Sequence, residues 1–210
     1  PEAERSGSFL AELGAGAAEF RRSTVLAAAL CFTAVAYFAF FLYDALIALL
    51  VEDFGYAAWA FGLGIAAAGV GGLIGAVLAG KATGQRPFVG MATGAIVAGL
   101  VACAFAGSAV SRATPPLWLF LLGMGMAAAS TAFMLVPYRS IVQAEATPER
   151  VARVFAFGEG VTMAVMLSAP FLGSAVAARW GAGMAFLLGG GLLLALGMVS
   201  ALVVALRRPA

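Results

Sequence analysis

Long apolar runs alternate with short polar breaks along this chain, and the breaks hold most of its charges. Six runs stand out, at about 24–51, 57–79, 88–108, 116–137, 151–178 and 183–206. Each reaches the roughly 20 residues that cross about 30 Å of hydrocarbon at about 1.5 Å rise per residue. No water in the bilayer core satisfies a free peptide group, so the runs are expected to be helices. A barrel would show alternation in segments of about ten residues, which is absent. Residues 1–8 are polar and expected to be disordered. In 9–20, Phe9, Leu10, Leu13, Ala17 and Phe20 fall near one helical face, followed by Arg21 and Arg22. That pattern predicts a short amphipathic helix lying on the membrane surface. Gly14 and Gly16 weaken it by about 1 kcal/mol each relative to alanine.

Composition agrees with the pattern. Of 210 residues, 63% are hydrophobic and 10% charged, with mean hydropathy +1.04. Soluble domains carry about 25% charged residues, so this surface is built for lipid. The 27 glycines fit closely approaching membrane helices. Cys31 and Cys103 both sit in apolar runs and read as small core or lipid-facing residues rather than a disulfide. Histidine is absent, and so are a Walker loop, a dinucleotide fingerprint and a Cys-x-x-Cys pair. No enzyme activity, cofactor or metal is therefore expected, and no nucleic-acid partner. The chain opens Pro1-Glu2-Ala3-Glu4 without a methionine or a signal pattern, and reads as cut from something longer.

Charge position orients the runs. Arg5, Arg21, Arg22, Lys81, Arg86, Arg139, Arg150, Arg153, Arg207 and Arg208 fall at one set of ends, and only Arg112 and Arg179 at the other. The positive-inside rule puts the first set, and both termini, in the cytoplasm. The polar stretch 136–155, with Arg139, Arg150 and Arg153, becomes a cytoplasmic loop whose arginines anchor it. Trp59, Trp118 and Trp180 fall at the opposite ends, as an interfacial aromatic belt would. Gly72-Leu73-Ile74-Gly75-Ala76-Val77-Leu78-Ala79 in the second run is echoed by Pro170-Phe171-Leu172-Gly173-Ser174-Ala175-Val176-Ala177 in the fifth. Two three-helix groups related this way would be inverted relative to each other, a pattern found in secondary transporters; small apolar helices also look alike by chance.

Four places carry a family resemblance. They are Ser8-Phe9-Leu10-Ala11-Glu12-Leu13 through Arg21-Arg22-Ser23, Gly62-Leu63-Gly64 through Gly75, Pro137-Tyr138-Arg139 through Arg153-Val154-Phe155, and Ser168-Ala169-Pro170-Phe171-Leu172-Gly173. In order, these resemble the end of the central loop, the glycine-rich eighth helix, the loop between helices ten and eleven, and the Gly/Pro region of helix eleven in the C-terminal half of a major facilitator superfamily transporter. The likeness is to the drug- and siderophore-efflux branch that includes macrolide-efflux-like proteins. Ala152 stands where that family commonly has glycine, and 81–86 is only an echo of its gating motif.

The resemblance implies an all-α membrane protein with six transmembrane helices as two inverted three-helix repeats. A linker with a surface helix (1–23) would precede the bundle (24–210). An N-terminal six-helix half of the same polypeptide would be the partner. Export of small apolar or amphipathic compounds, proton-coupled and by alternating access, is then expected, in a bacterial cytoplasmic (inner) membrane. Helices one and four would face the cavity, two and five the other half, and three and six would support. The alternative is a stand-alone six-helix protein with a structural or assembly role, perhaps as a homodimer.

Asp44 is the sharpest candidate for chemistry. A carboxylate within a membrane helix costs about 2.5–3.5 kcal/mol on insertion scales, so it is expected to face a cavity or a partner. There it would bind a cationic substrate or take up a proton. The other reading puts it about two turns from the outer interface, meeting water or an outer-loop arginine. Glu159, flanked by Gly158 and Gly160, is second, and is expected to pair with Arg153 or a neighbouring loop arginine. Tyr37, Phe41, Met126 and Phe133 are candidates for an adaptable cavity wall, or for ordinary packing and lipid contact. Gly71 and Gly75 are spaced for close helix approach, as Gly173 is, and Pro170 is expected to kink the fifth helix.

Overall fold

A computed structural model describes residues 9–84, 86–147 and 150–206. The polar leader 1–8, with Arg5, and Arg207 and Arg208 lie outside the described residues, as do the side chains of Phe9, Leu10 and Leu13. Eight helices account for nearly all of the described chain: α1 (Phe9–Arg22), α2 (Thr24–Asp44), α3 (Ile47–Asp53), α4 (Trp59–Ala82), α5 (Pro87–Val110), α6 (Leu117–Glu145), α7 (Val151–Trp180) and α8 (Ala182–Leu206). Six of them, all but α1 and α3, are long and apolar enough to cross a membrane.

Small residues decide which helices touch, because hydrocarbon does not push apolar helices together and close backbone approach must. Gly99 of α5 meets the Gly190 carbonyl of α8, and Gly197 of α8 meets Ala92 and Ile96 of α5. Gly71 and Gly75 of α4 lie directly on Gly125 and Ala129 of α6, and Gly94 of α5 sits against Ser130 of α6. On α2, the Leu42 carbonyl rests on Gly173 of α7, and the Ala39 carbonyl on Gly189 of α8. The α5–α8 pair forms the most extensive contact, while α4 packs mainly on α6 and α7 mainly on α2. Buried residues of α7 recur at Val154, Gly158, Thr162, Ala169, Gly173 and Val176, one narrow stripe. Its other side is open, with Phe171 79% exposed.

Three boundaries differ from the apolar pattern. The first run is not one helix: α2 stops at Asp44, a turn occupies Ala45 and Leu46, and α3 resumes at Ile47. Leu46 N–H closes that turn on the Tyr43 carbonyl at 2.9 Å. The polar stretch 136–155 is mostly helical, for α6 runs through Pro137 to Glu145 and α7 begins at Val151. A proline removes a single helical hydrogen bond, and the turn beyond it buries Tyr138, Ile141 and Val142 on one face while Arg139, Ser140 and Gln143 face out. Finally, α1 does not lie free on a surface. Gly16 abuts the Arg153 carbonyl and Phe157 of α7, Phe20 is buried with its ring 5.4 Å from that of Phe157, and Glu19 pairs with Arg150.

The ends of the bundle are tied by polar contacts. Ser23 caps α2 by accepting from Leu26 N–H at 3.2 Å, and its hydroxyl donates to Glu145 at the end of α6 at 3.0 Å. At the opposite end the Tyr56 hydroxyl donates to the Pro115 carbonyl, and the Thr114 hydroxyl to the Phe54 carbonyl at 3.0 Å. Partial burial pushes the Tyr56 phenol above its ordinary range, so it stays a donor. α7 and α8 are joined by Gly181 alone, whose φ of 87° a side chain would strain.

Candidate functional site

Asp44 ends α2, and there the chain opens a cavity of about 90 Å³ between helices. Its wall is drawn from α2 (Phe40, Tyr43, Asp44), α3 (Ile47), α4 (Ile65, Ala68), α5 (Val101, Ala102, Phe105), α6 (Met124, Ala127, Ala128) and α8 (Phe186). Asp44 and Ile47, on either side of the turn at Ala45–Leu46, both face this cavity. Asp44 is half-buried. Among the described residues no lysine or arginine lies within ion-pair distance of it, and no hydrogen bond reaches its carboxylate. The carbonyl end of α2 adds partial negative charge beside it. The neighbouring Tyr43 is buried, and its hydroxyl has no partner among the described residues. Among the described residues the acid is therefore not neutralised, and the rest of the wall is mostly apolar.

The other expected residues fall elsewhere. Tyr37 lines a second, much smaller void of about 10 Å³ with Thr33, Thr131 and Met134. Phe41 stacks on Tyr37 and Phe40, with centroids 6.0 and 5.5 Å away. Met126 is 42% exposed, and Phe133 borders an open cleft of about 520 Å³ that also holds Lys81 and Arg86. None of these four lines the cavity at Asp44, where the neighbours Phe40 and Met124 stand instead.

Glu159 is half-buried on α7. Among the described residues it forms no ion pair, with Arg153 or any other arginine. Six residues along a helix turn the two side chains about 120° apart, and Arg150 is engaged by Glu19 instead. Tyr138 is only 2% exposed, its hydroxyl has no partner among the described residues, and it presses on Gly158. Arg139 and Arg153 are exposed. Pro170 lies inside an α7 that continues to Trp180. Of the aromatics on this wall, Tyr43 is marked in the sequence by its place beside Asp44 in the aromatic-rich first span, whereas no pattern marks Phe105 or Phe186.

Fold and site together define an all-helical, multi-pass membrane protein whose first span breaks at an acid that has no ion-pair partner among the described residues. No family model, curated protein or solved structure matches the chain.

Proposed function

We propose that this bundle is one half of a secondary active transporter of major facilitator type, exporting small apolar or amphipathic compounds against protons by alternating access. The observation that carries the reading is Asp44: a carboxylate without a counter-charge among the described residues, at a helix break, on the wall of an interhelical cavity. Broken membrane helices whose ends face a binding site are a recurring device of such transporters. Asp44 would hold a proton in one part of the cycle and release it in another, with Glu159 as a second acidic station near the other end.

Helix partnering supports two inverted units, α2–α4–α5 and α6–α7–α8. α2 packs on α7 and α8 as α6 packs on α4 and α5, while α5 meets α8 and α2 meets α6 across the middle. The open faces of α4 and α7, which carry Leu73 and Phe171, would receive an N-terminal half of the same polypeptide. The arginine-rich end would be cytoplasmic.

The test is proton-driven uptake of an amphipathic fluorescent dye into inverted vesicles from cells expressing the whole polypeptide, both six-helix halves included. Uptake is expected to collapse with the proton gradient and to fall at least about tenfold for Asp44→Asn, as for loss of an intramembrane acid that couples transport. Proton-driven uptake that survives Asp44→Asn removes Asp44 from coupling. No uptake by the unmodified protein removes the transporter reading.

A further inference from the structure

We propose that the Asp44 cavity binds the head of a small organic ammonium ion, a primary or secondary alkylammonium, with the rest of the molecule directed out of the opening. As a statement about the exported compound this rests on the transporter reading; as a statement about binding it stands alone.

Four observations converge on that ligand. The first is charge: Asp44 meets no cation among the described residues, and the end of α2 reinforces its negative field. The second is the wall, where Phe40, Tyr43, Phe186 and Phe105 form a continuous aromatic arc. Successive ring centroids are 5.5, 4.6 and 6.5 Å apart. Aromatic faces carry partial negative charge and attract ammonium groups, more strongly where water is excluded. The third is hydrogen bonding, since the Asp44 carboxylate on this wall can accept an N–H that a quaternary ammonium lacks. The fourth is size. About 90 Å³ is well below the roughly 150 Å³ that admits benzene, so a head group enters and a ring does not.

A metal ion fits poorly. Among the described residues Asp44 is the only carboxylate on the wall, and they contain no cluster of three metal-ligating side chains. Hard cations take six or more oxygen ligands, and this wall is otherwise hydrocarbon and aromatic rings. An anion would meet the Asp44 charge directly.

The experiment is equilibrium dialysis of radiolabelled methylammonium against the purified protein in lipid nanodiscs, with empty nanodiscs as the blank. Saturable binding is expected, weakened about tenfold or more by Asp44→Asn and several-fold by Phe105→Leu, in line with loss of a counter-charge and of one ring. Tetramethylammonium should compete at least about tenfold more weakly than ethylammonium, for want of an N–H and of room. Circular dichroism of each variant confirms that the helices persist. Absence of saturable binding, binding unchanged in folded Asp44→Asn, or equal competition by tetramethylammonium overturns the proposal. Dye transport without methylammonium binding sinks this inference and leaves the transporter; binding without transport does the reverse.

Discussion

Asp44 is a destabilising residue for its helix. With no neighbour to neutralise it among the described residues, its charge is an expense the helix carries. Asp44→Asn is therefore expected to raise the unfolding midpoint in detergent, by an amount worth up to about 2 kcal/mol, since half-exposure discounts the insertion cost. A fall in the midpoint would mean that the carboxylate has a partner. Tyr138 offers a cleaner case of the same kind. Its buried hydroxyl meets no acceptor among the described residues, so Tyr138→Phe should be neutral or stabilising by about 1 kcal/mol in the same melt. Tyr56 is the control, because its hydroxyl does donate, and Tyr56→Phe should cost about 1 kcal/mol. At this scale the acids were legible, because a charge in an apolar run announces itself. Which aromatic shares a wall with Asp44 was not. Helices that are apolar all round give no phase, so Phe40 and Phe41, or Met124 and Met126, cannot be told apart by pattern.

Among helices, glycine positions carry the prediction. A side chain at Gly71 would enter the Gly125 carbonyl of α6, so Gly71→Val should separate α4 from its main neighbour. Overpacking of this kind costs about 1–3 kcal/mol, to be read as a drop in unfolding free energy on titration with a denaturing detergent. The same change at Gly72, where only Ala128 comes near at 3.9 Å, should be tolerated, and equal losses at both would argue against the α4–α6 contact. Element ends were less legible than elements. The span count follows from hydropathy over about 20 residues, which the bilayer enforces. The break after Asp44 sits in Ala45-Leu46-Ile47-Ala48, with no glycine or proline to mark it, and hydropathy does not change across it. Pro137 errs the other way, as a breaker inside a helix that tertiary packing carries on to Glu145. Docking of α1 depends on Gly16, a residue that local propensity counts only against the helix.

For the molecule as a whole, sidedness is the quantity to measure. With Cys31 and Cys103 replaced by serine, a single cysteine at Arg139 should react with a membrane-impermeant reagent from one side of sealed vesicles and a cysteine at Arg179 from the other. Labelling of both from the same side would contradict six crossings. The α4–α6 seam has its own whole-molecule consequence. Backbone lies on backbone at Gly71 and Gly75, while towards the start of α4 the Phe120 ring and Met124 of α6 seat at Gly64 and key the seam. Its smooth track on α6 is short: four residues to either side of Gly125 and Ala129 stand Leu121 and Phe133. A shift of α4 by one turn, about 5.4 Å, would drive Gly71 onto Leu121 or Gly75 onto Phe133. Glycines and bulky neighbours together thus lock α4 to one register on α6, so that the two helices would move as a single piece.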